Sequence, residues 1–444
     1  MQQDVYQPTF IIEIEGHRLS KDITHEITSF AFEDNEEELD VMEITVSDRN
    51  LQFVDDPLFQ EGNEIVARFG YVGNLSPKKV AVIKEIDYDF PDGGEPTIRI
   101  KAYDKGHALT GKQIQRVWQK PAPGILYSEI AEQIAKEHGF AAVVEPTIGR
   151  HLRVAQGNAS DAAFLKRLAV KSRATDGKGA AGYVFFIQDN VLHFHSRKLN
   201  GRPGLVLEYF TDREGMLRSF QPSTQSQCVK GAGTETKTIG VDPRKKQHAE
   251  HKANDGSTPE RTVLGKKTYL VDGNTGEGKY RKQESGKIVP TYEHSESRHE
   301  RQKHEPGQDH AESQFKNAEL KQVEATAVTI GVPTLHAKQN IEIRGVGRKF
   351  SGTYYCTSVR HIFGDGYSCE LKLKRNAFGK GAGAKASDAK GKRNEQTAPK
   401  HPKKGAANTA KQGQTGTQTI APKPVKPKPK MVRIDANTGR IIGK

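Results

Sequence analysis

Cysteine is scarce in this 444-residue chain: Cys228, Cys356 and Cys369 are the only three, each inside a segment that reads as a strand and none in a Cys-x-x-Cys pair. That argues against a disulfide framework or a zinc site and leaves buried, reduced thiols as the reading. Long apolar runs are also missing. No 18 uncharged apolar residues stand in a row, the length at which a membrane helix is considered, so no stable membrane insertion is expected. The start carries Asp4 and lacks the apolar stretch of a signal peptide, and a soluble protein made in the cytosol is expected. Counting glycine and leaving tyrosine out, about 41% of the chain is apolar. Globular chains run at about 45 to 50%, so part of this one is expected to be unfolded.

Catalytic signatures are absent in the same way. There is no Gly-x-Ser-x-Gly elbow and no His-Glu-x-x-His helix. Gly273–Lys279 approaches a phosphate-binding loop, but Tyr280 follows where a Ser or Thr must hold magnesium, and no apolar helix comes after it. Asn158-Ala159-Ser160 is a glycosylation sequon by letter alone. Gly345-Val346-Gly347 lies between two strands with no helix behind it and reads as a turn or bulge. His193 and His195 sit two apart on one strand face without an identifiable third ligand. His294, His299, His304 and His310 have spacings that do not stack on one helical face. No catalytic residue, cofactor or metal is expected.

Positive charge is abundant but localised. From Lys380 to Lys430 there are 13 Lys and Arg against 2 acids, and the last 14 residues add a further +2, which accounts for the whole net charge of +13. Residues 1–379 are therefore neutral overall, and a specific nucleic-acid groove on the folded body loses its main argument.

What the chain does have is one strand pattern written twice. Ile65–Phe69, Lys79–Phe90, a turn at Asp92-Gly93-Gly94 and Thr97–Tyr103 are answered in the same order by Ile341–Arg344, Thr353–Phe363, Asp365-Gly366 and Ser368–Lys374. Alternation with period two marks half-buried strands, and a glycine turn between two such runs marks a hairpin. Upstream, Ile27–Phe32 with Met42–Val46 resembles Leu217–Phe220 with Gln227–Lys230. Two separated copies are not a solenoid or propeller, whose repeats recur every 20 to 50 residues or so.

The fold class expected is α+β and β-rich: two similar small β-barrel domains flanking an α+β middle domain, with a disordered basic C-terminal tail. Residues 1–111 form the first barrel and 112–215 the middle domain. There, Pro121 and Pro123 introduce a helix carrying Leu126, Ile130 and Ile134 on one face and stopped by Gly139. Ser160 caps a second helix that buries Phe164, Leu165, Leu168 and Ala169, and Asp189-Asn190 turns a hairpin. Residues 216–239 and 313–378 form the second barrel. Between them 240–312 is too polar to offset its ordering entropy and is expected to be a partly ordered charged insertion. Residues 379–430 form a Lys/Pro tether and 431–444 a short docking segment with a hairpin pattern around Asn437-Thr438-Gly439. The candidate partner-binding residues are Lys423, Lys426, Lys428, Lys430, Val432, Ile434, Ile441 and Ile442.

Gly157–Ala169 with Tyr183–Phe194, and Gly331–Leu335 running on through Ile341–His361, resemble the phage late control protein D family and the hub portion of VgrG spike proteins. The resemblance covers roughly residues 5–378. It implies a structural, non-enzymatic baseplate hub of a contractile tail or injection machine: a homotrimer whose six barrels adapt the sixfold tail tube ring to a threefold spike. After Phe378 there is no OB-like domain and no repetitive β-helix, so the central spike is expected to be a separate protein, contacted together with baseplate wedge proteins or cargo through the tail. Made in the bacterial cytoplasm, such a protein is incorporated into the baseplate of a phage tail or injection particle. The rivals are a tail-associated peptidoglycan hydrolase and a nucleic-acid binder acting through the basic tail.

Overall fold

The computed structural model describes residues 7–174, 182–209, 216–224, 235–242, 247–254, 258, 262–265, 270–271, 278–279, 289–292, 306–379, 433–434 and 441–442. The chain divides into two units, 1–385 and 386–444. The first unit opens with β1 (Pro8–Ile14), β2 (His17–Arg18), α1 (Lys21–Glu26), β3 (Ile27–Asn35), β4 (Val41–Ser47), β5 (Glu64–Tyr71), β6 (Asn74–Leu75), β7 (Lys79–Asp89) and β8 (Thr97–Tyr103). Period-two alternation puts Ile12 and Ile14, Phe30 and Phe32, Met42, Ile44 and Val46, and Ile98, Ile100 and Ala102 into one core.

The middle region holds β9 (Gln113–Gln119), α2 (Tyr127–Glu137), β10 (Ala141–Val144), β11 (Arg153–Ser160), α3 (Asp161–Lys171), β12 (Tyr183–Gln188) and β13 (Val191–Ser196). Both helices form where their periodicity places them, except that Leu126 is the residue capping the start of α2 and is only half-buried. α2 buries Ile130 and Ile134, and Gly139 after it takes a φ of 73°. Ser160 accepts a hydrogen bond from Ala163 N at 3.3 Å, and α3 buries Phe164, Leu165, Leu168 and Ala169. Asp189 and Asn190, with φ of 50° and 65°, make the tight turn between β12 and β13. These elements enclose a second core around Trp118, Phe140 and Phe194.

The chain then returns to the large sheet with β14 (Leu205–Glu208) and β15 (Leu217–Thr224). It leaves it for β16 (Glu235–Asp242), β17 (Gln247–Asn254), β18 (Leu270–Val271), β19 (Gly278–Lys279), β20 (Val289–Tyr292) and α4 (Pro306–Glu319), and re-enters with β21 (Val323–Ile330), β22 (Gln339–Arg344), α5 (Gly347–Phe350), β23 (Gly352–Phe363) and β24 (Tyr367–Arg375). In the first set the pairing order is β3-β4-β8-β7-β5-β1. In the second it is β15-β21-β24-β23-β22-β14. The sequence of neighbours is the same, and so is the register: Val46 faces Ile98 as Thr329 faces Cys369, and Ile65 faces Ala81 as Ile341 faces Tyr354.

Even the irregularities repeat. β7 bulges between Ile83 and Glu85 and β23 between Cys356 and Ser358; β3 bulges between Ile27 and Ser29 and β15 between Leu217 and Ser219. A bulge adds one residue to one strand and bends it, so four bulges at matching places mark two copies of one design. One position differs: β1 runs antiparallel to β5, whereas β14 runs parallel to β22.

Several expectations are corrected. The two sets are not separate bodies, because Phe30–Asn35 of β3 pairs antiparallel with Ser358–Phe363 of β23, making one 14-stranded sheet over a single core. The counterpart of Met42–Val46 is Val323–Ile330, not Gln227–Lys230, which lie outside the described residues with Cys228. The boundary expected at 312/313 falls inside α4, which buries Asp309, His310, Ala311 and Phe315 and packs on β16 and β17, themselves in a small sheet with β20. Ala311 and Phe315, four apart, meet Ala253, and two apolar positions sufficed where composition suggested too few. His294, His299 and His304 are outside the described residues, as is most of Gly273–Lys279. A single helical turn, α5, does follow Gly345-Val346-Gly347. Gly345 has a φ of 80° and its backbone lies against Tyr209 O, where a Cβ would stand 2.1 Å away, so that position admits only glycine.

Candidate functional site

β3 leaves the core through Glu33-Asp34-Asn35-Glu36-Glu37-Glu38-Leu39-Asp40, a run that reads as a solvated acidic face. The alternation that points Phe30 and Phe32 inward continues to Asp34, however, and Asp34, Glu36 and Asp40 are all buried. A buried carboxylate must be paired or protonated, and the partners come from every other part of the unit.

Asp34 accepts hydrogen bonds from Ala337 N at 3.0 Å and from the Lys338 ammonium. Lys338, at a φ of 66°, also lies 3.8 Å from Asp40 and 4.7 Å from the centre of the Phe186 ring on β12. Asp40 accepts from Asn35 N at 2.9 Å, and its own N–H donates to Asp104 at 3.2 Å. Burial pushes the Asp34 carboxyl up, but the adjacent Lys338 charge outweighs it and holds the group below the usual range. Asp40 has no such surplus. Burial, reinforced by Asp34, raises it well above the ordinary value, and burial raises Asp104 to about 6. One buried cation thus faces three buried acids, and the two it does not bond directly, Asp40 and Asp104, are the ones burial raises.

Two residues on, Glu36 takes a bidentate hydrogen bond from Arg197 at 2.9 and 3.1 Å and a third from Tyr355 Oη at 2.6 Å. Arg197 follows β13 and donates also to Asn317 of α4 at 2.8 Å. Glu36 N donates to Thr357 O at 3.0 Å, Lys374 donates to Glu37 at 2.8 Å, and Lys166 of α3 reaches the Glu37 carbonyl. Glu33 accepts from Ser358 at 2.9 Å and Lys372 at 3.2 Å across the seam. Eight consecutive residues therefore tie both strand sets, the middle region and α4 together. Among the described residues no group of three or more His, Cys, Asp or Glu is arranged to hold a metal ion. The arrangement is a polar fastening of four neighbouring parts.

Beside it, the strand residue His361 is buried with Nε2 3.0 Å from Leu335 O and Nδ1 2.8 Å from Tyr367 Oη. Nε2 donates to the carbonyl and Nδ1 accepts from the phenol; burial lowers its pKa to about 4, so it sits as neutral imidazole. His193 stacks on Phe186 at 4.6 Å, with His195 at 5.8 Å. Cys356 and Cys369 are free and buried, as expected. In the second unit Arg433–Ile434 pairs antiparallel with Ile441–Ile442; Lys423, Lys426, Lys428, Lys430 and Val432 lie outside the described residues.

The fold is one seen in tail proteins. A tail protein from Neisseria meningitidis MC58 superposes with a TM-score of 0.57 at 10% identity, over 84% of this chain and 97% of that one. The 43 kDa tail protein of prophage MuSo2 from Shewanella oneidensis superposes at 0.56 and 12% identity, over 84% of this chain and all of that one, 100%. The chain itself belongs to the family described as the Alg8 N-terminal domain, which matches residues 5–365. No curated protein matches it.

Replacing Lys338 by Met keeps the stem and removes the shared cation. The loss expected is about 3 to 5 kcal/mol of unfolding free energy at pH 8, and less at pH 5, where Asp34 can take up a proton; urea titration at the two pH values measures both. Asp104 is raised when folded, so its contribution is full below the ordinary carboxylate range and lost as pH rises through about 6. Between pH 5 and 7 the stability of Asp104→Asn should therefore fall by about 1 kcal/mol less than that of the unaltered chain. Parallel urea curves would contradict this assignment.

Proposed function

We propose that the chain is a structural baseplate hub protein of a contractile tail or injection machine, three copies of which surround an axis beneath the tail tube. The observation that carries this reading is the second strand set, alike in pairing order, register and all four bulges. Three chains with two such sets each offer six similar, barrel-like surfaces, which meet a sixfold tube ring with near-equivalent contacts while the assembly stays threefold towards a spike. The tail-protein fold and the resemblance to late control protein D and VgrG hubs support the same reading. The work is mechanical and uses surfaces and symmetry; no reactive side chain takes part.

A separate central spike completes the assembly, with wedge proteins around it, and the protein, made in the bacterial cytoplasm, is incorporated into the baseplate of a phage tail or injection particle. The Lys/Pro tether with its terminal hairpin, carrying Ile434, Ile441 and Ile442, docks on that spike, a neighbouring baseplate protein or cargo.

The purified full chain should have a solution mass three times the 49.1 kDa of one chain, measured by light scattering at micromolar concentration; a chain that remains a monomer at every concentration contradicts the hub. Removing residues 380–444 should leave the trimer intact and reduce spike or cargo incorporation in purified particles. Unchanged particle composition would remove the docking role from the tail.

A further inference from the structure

The two strand sets join through edges that are not equivalent. β3 pairs with the C-terminal half of β23, but the strand that corresponds to β3 is β15, and the one that corresponds to β23 is β7. Joining one edge of each kind leaves one of each kind over. Among the described residues no strand pairs with the second side of β15, and none lies beside the C-terminal half of β7, where β5 pairs only with Lys79–Val82.

The exposed side chains along that leftover edge differ sharply from their covered counterparts. Aligned on the bulges, Tyr88 and Phe90 correspond to His361 and Phe363. Tyr88 is 43% and Phe90 60% exposed, whereas His361 is 2% and Phe363 4% exposed beneath β3. On the other leftover edge Phe220 corresponds to Phe30. Phe30 is buried 5.7 Å from Phe363, while Phe220 is only half-buried, against Tyr354.

We infer that β15 of one copy pairs with the C-terminal half of β7 of a second copy, in the register that β3 and β23 use within the chain. The inference rests on the hub reading and names the surface by which its copies meet. Carried over residue by residue, Phe220 faces Phe90 of the second copy, Gln221 faces Asp89, Pro222 faces Tyr88, Ser223 faces Asp87 and Thr224 faces Ile86. The contact is head to tail: each copy uses β15 towards one neighbour and β7 towards the other, so it closes only as a ring. Strand addition at a free edge supplies main-chain hydrogen bonds, and Tyr88 and Phe90 supply the apolar cover. Pro222, at the position of Phe32, has no amide to donate, as suits a strand at the edge of a sheet.

Gln221→Cys with Asp89→Cys, in a full chain also carrying Cys228→Ser, tests the register. Opposed antiparallel positions lie about 4.5 to 5.5 Å apart at Cα, within disulfide range. After mild oxidation, covalent dimers and trimers should appear on a non-reducing gel and vanish with reductant. Neither single cysteine variant should give them. Gln221→Cys with Glu85→Cys, about 13 Å off register, should give none either. A particle of three-chain mass without the Gln221–Asp89 cross-link overturns this edge pairing and leaves the hub reading in place. A monomer without the cross-link overturns both.

Discussion

The register of β3 on β23 is the constraint on which the rest of the first unit depends, and it is set from both ends of one strand. At one end Phe30 enters a ring cluster with Phe10, Phe69 and Phe363. At the other, Glu33, Asp34 and Glu36 each need a particular cation or hydroxyl: Lys372 and Ser358, Lys338, and Arg197 with Tyr355. A slip by one residue exchanges the faces of a strand. It would expose Phe30 and Phe32 and leave Asp34 facing away from Lys338. Aromatic packing and charge pairing thus demand the same alignment, which is why two sets that look like independent modules form one sheet.

The acids contribute alignment more than stability. Taking carboxylates and a lysine out of water costs several kcal/mol per ion, which their attraction offsets only in part. With Asp34, Asp40 and Asp104 around one Lys338, the balance is met by raising two of the acids instead of by a second cation. An apolar cluster of the same volume would bury these residues at less cost, but it would accept several registers. The fastening also reaches outward: Arg197 spans from β13 to α4 through Asn317, and Arg173 after α3 pairs with Asp309 and Glu312 of α4. The position of the middle region and of α4 follows from the same few polar contacts.

Period-two alternation made the strands legible, and the helix stops and caps at Gly139 and Ser160 were legible because their chemistry is local. Pairing across the insertion was not. The partner of β15 is Val323–Ile330, about a hundred residues further on, and Val-Glu-Ala-Thr-Ala-Val-Thr-Ile alternates too mildly to stand out beside the stronger strands. α4 was hidden by its charge, since only Ala311 and Phe315 mark its inner face. The acidic run was hidden for a related reason: a row of Glu and Asp is normally solvated, and its burial becomes evident only once Lys338 and Arg197, distant in sequence, are seen beside it. The inward alternation Phe30, Phe32, Asp34 was the one local sign.

Repetition alone does not create a ring. Had the two sets met through equivalent edges, β3 on β15, the contact would have been two-fold and self-complete, and both β7 edges would have been left without a complementary partner. Because β3 instead meets the counterpart of β7, the first join leaves the ingredients for another of the same kind. The same choice explains an asymmetry in composition. β3 carries Glu33 and Asp34 and pairs with β23 within the chain, whereas β15 carries Ser223 and Thr224 at the corresponding positions. At an edge with no strand beside it those carboxylates would lack the cations that β3 finds across the seam, whereas the hydroxyls of Ser223 and Thr224 are satisfied by water.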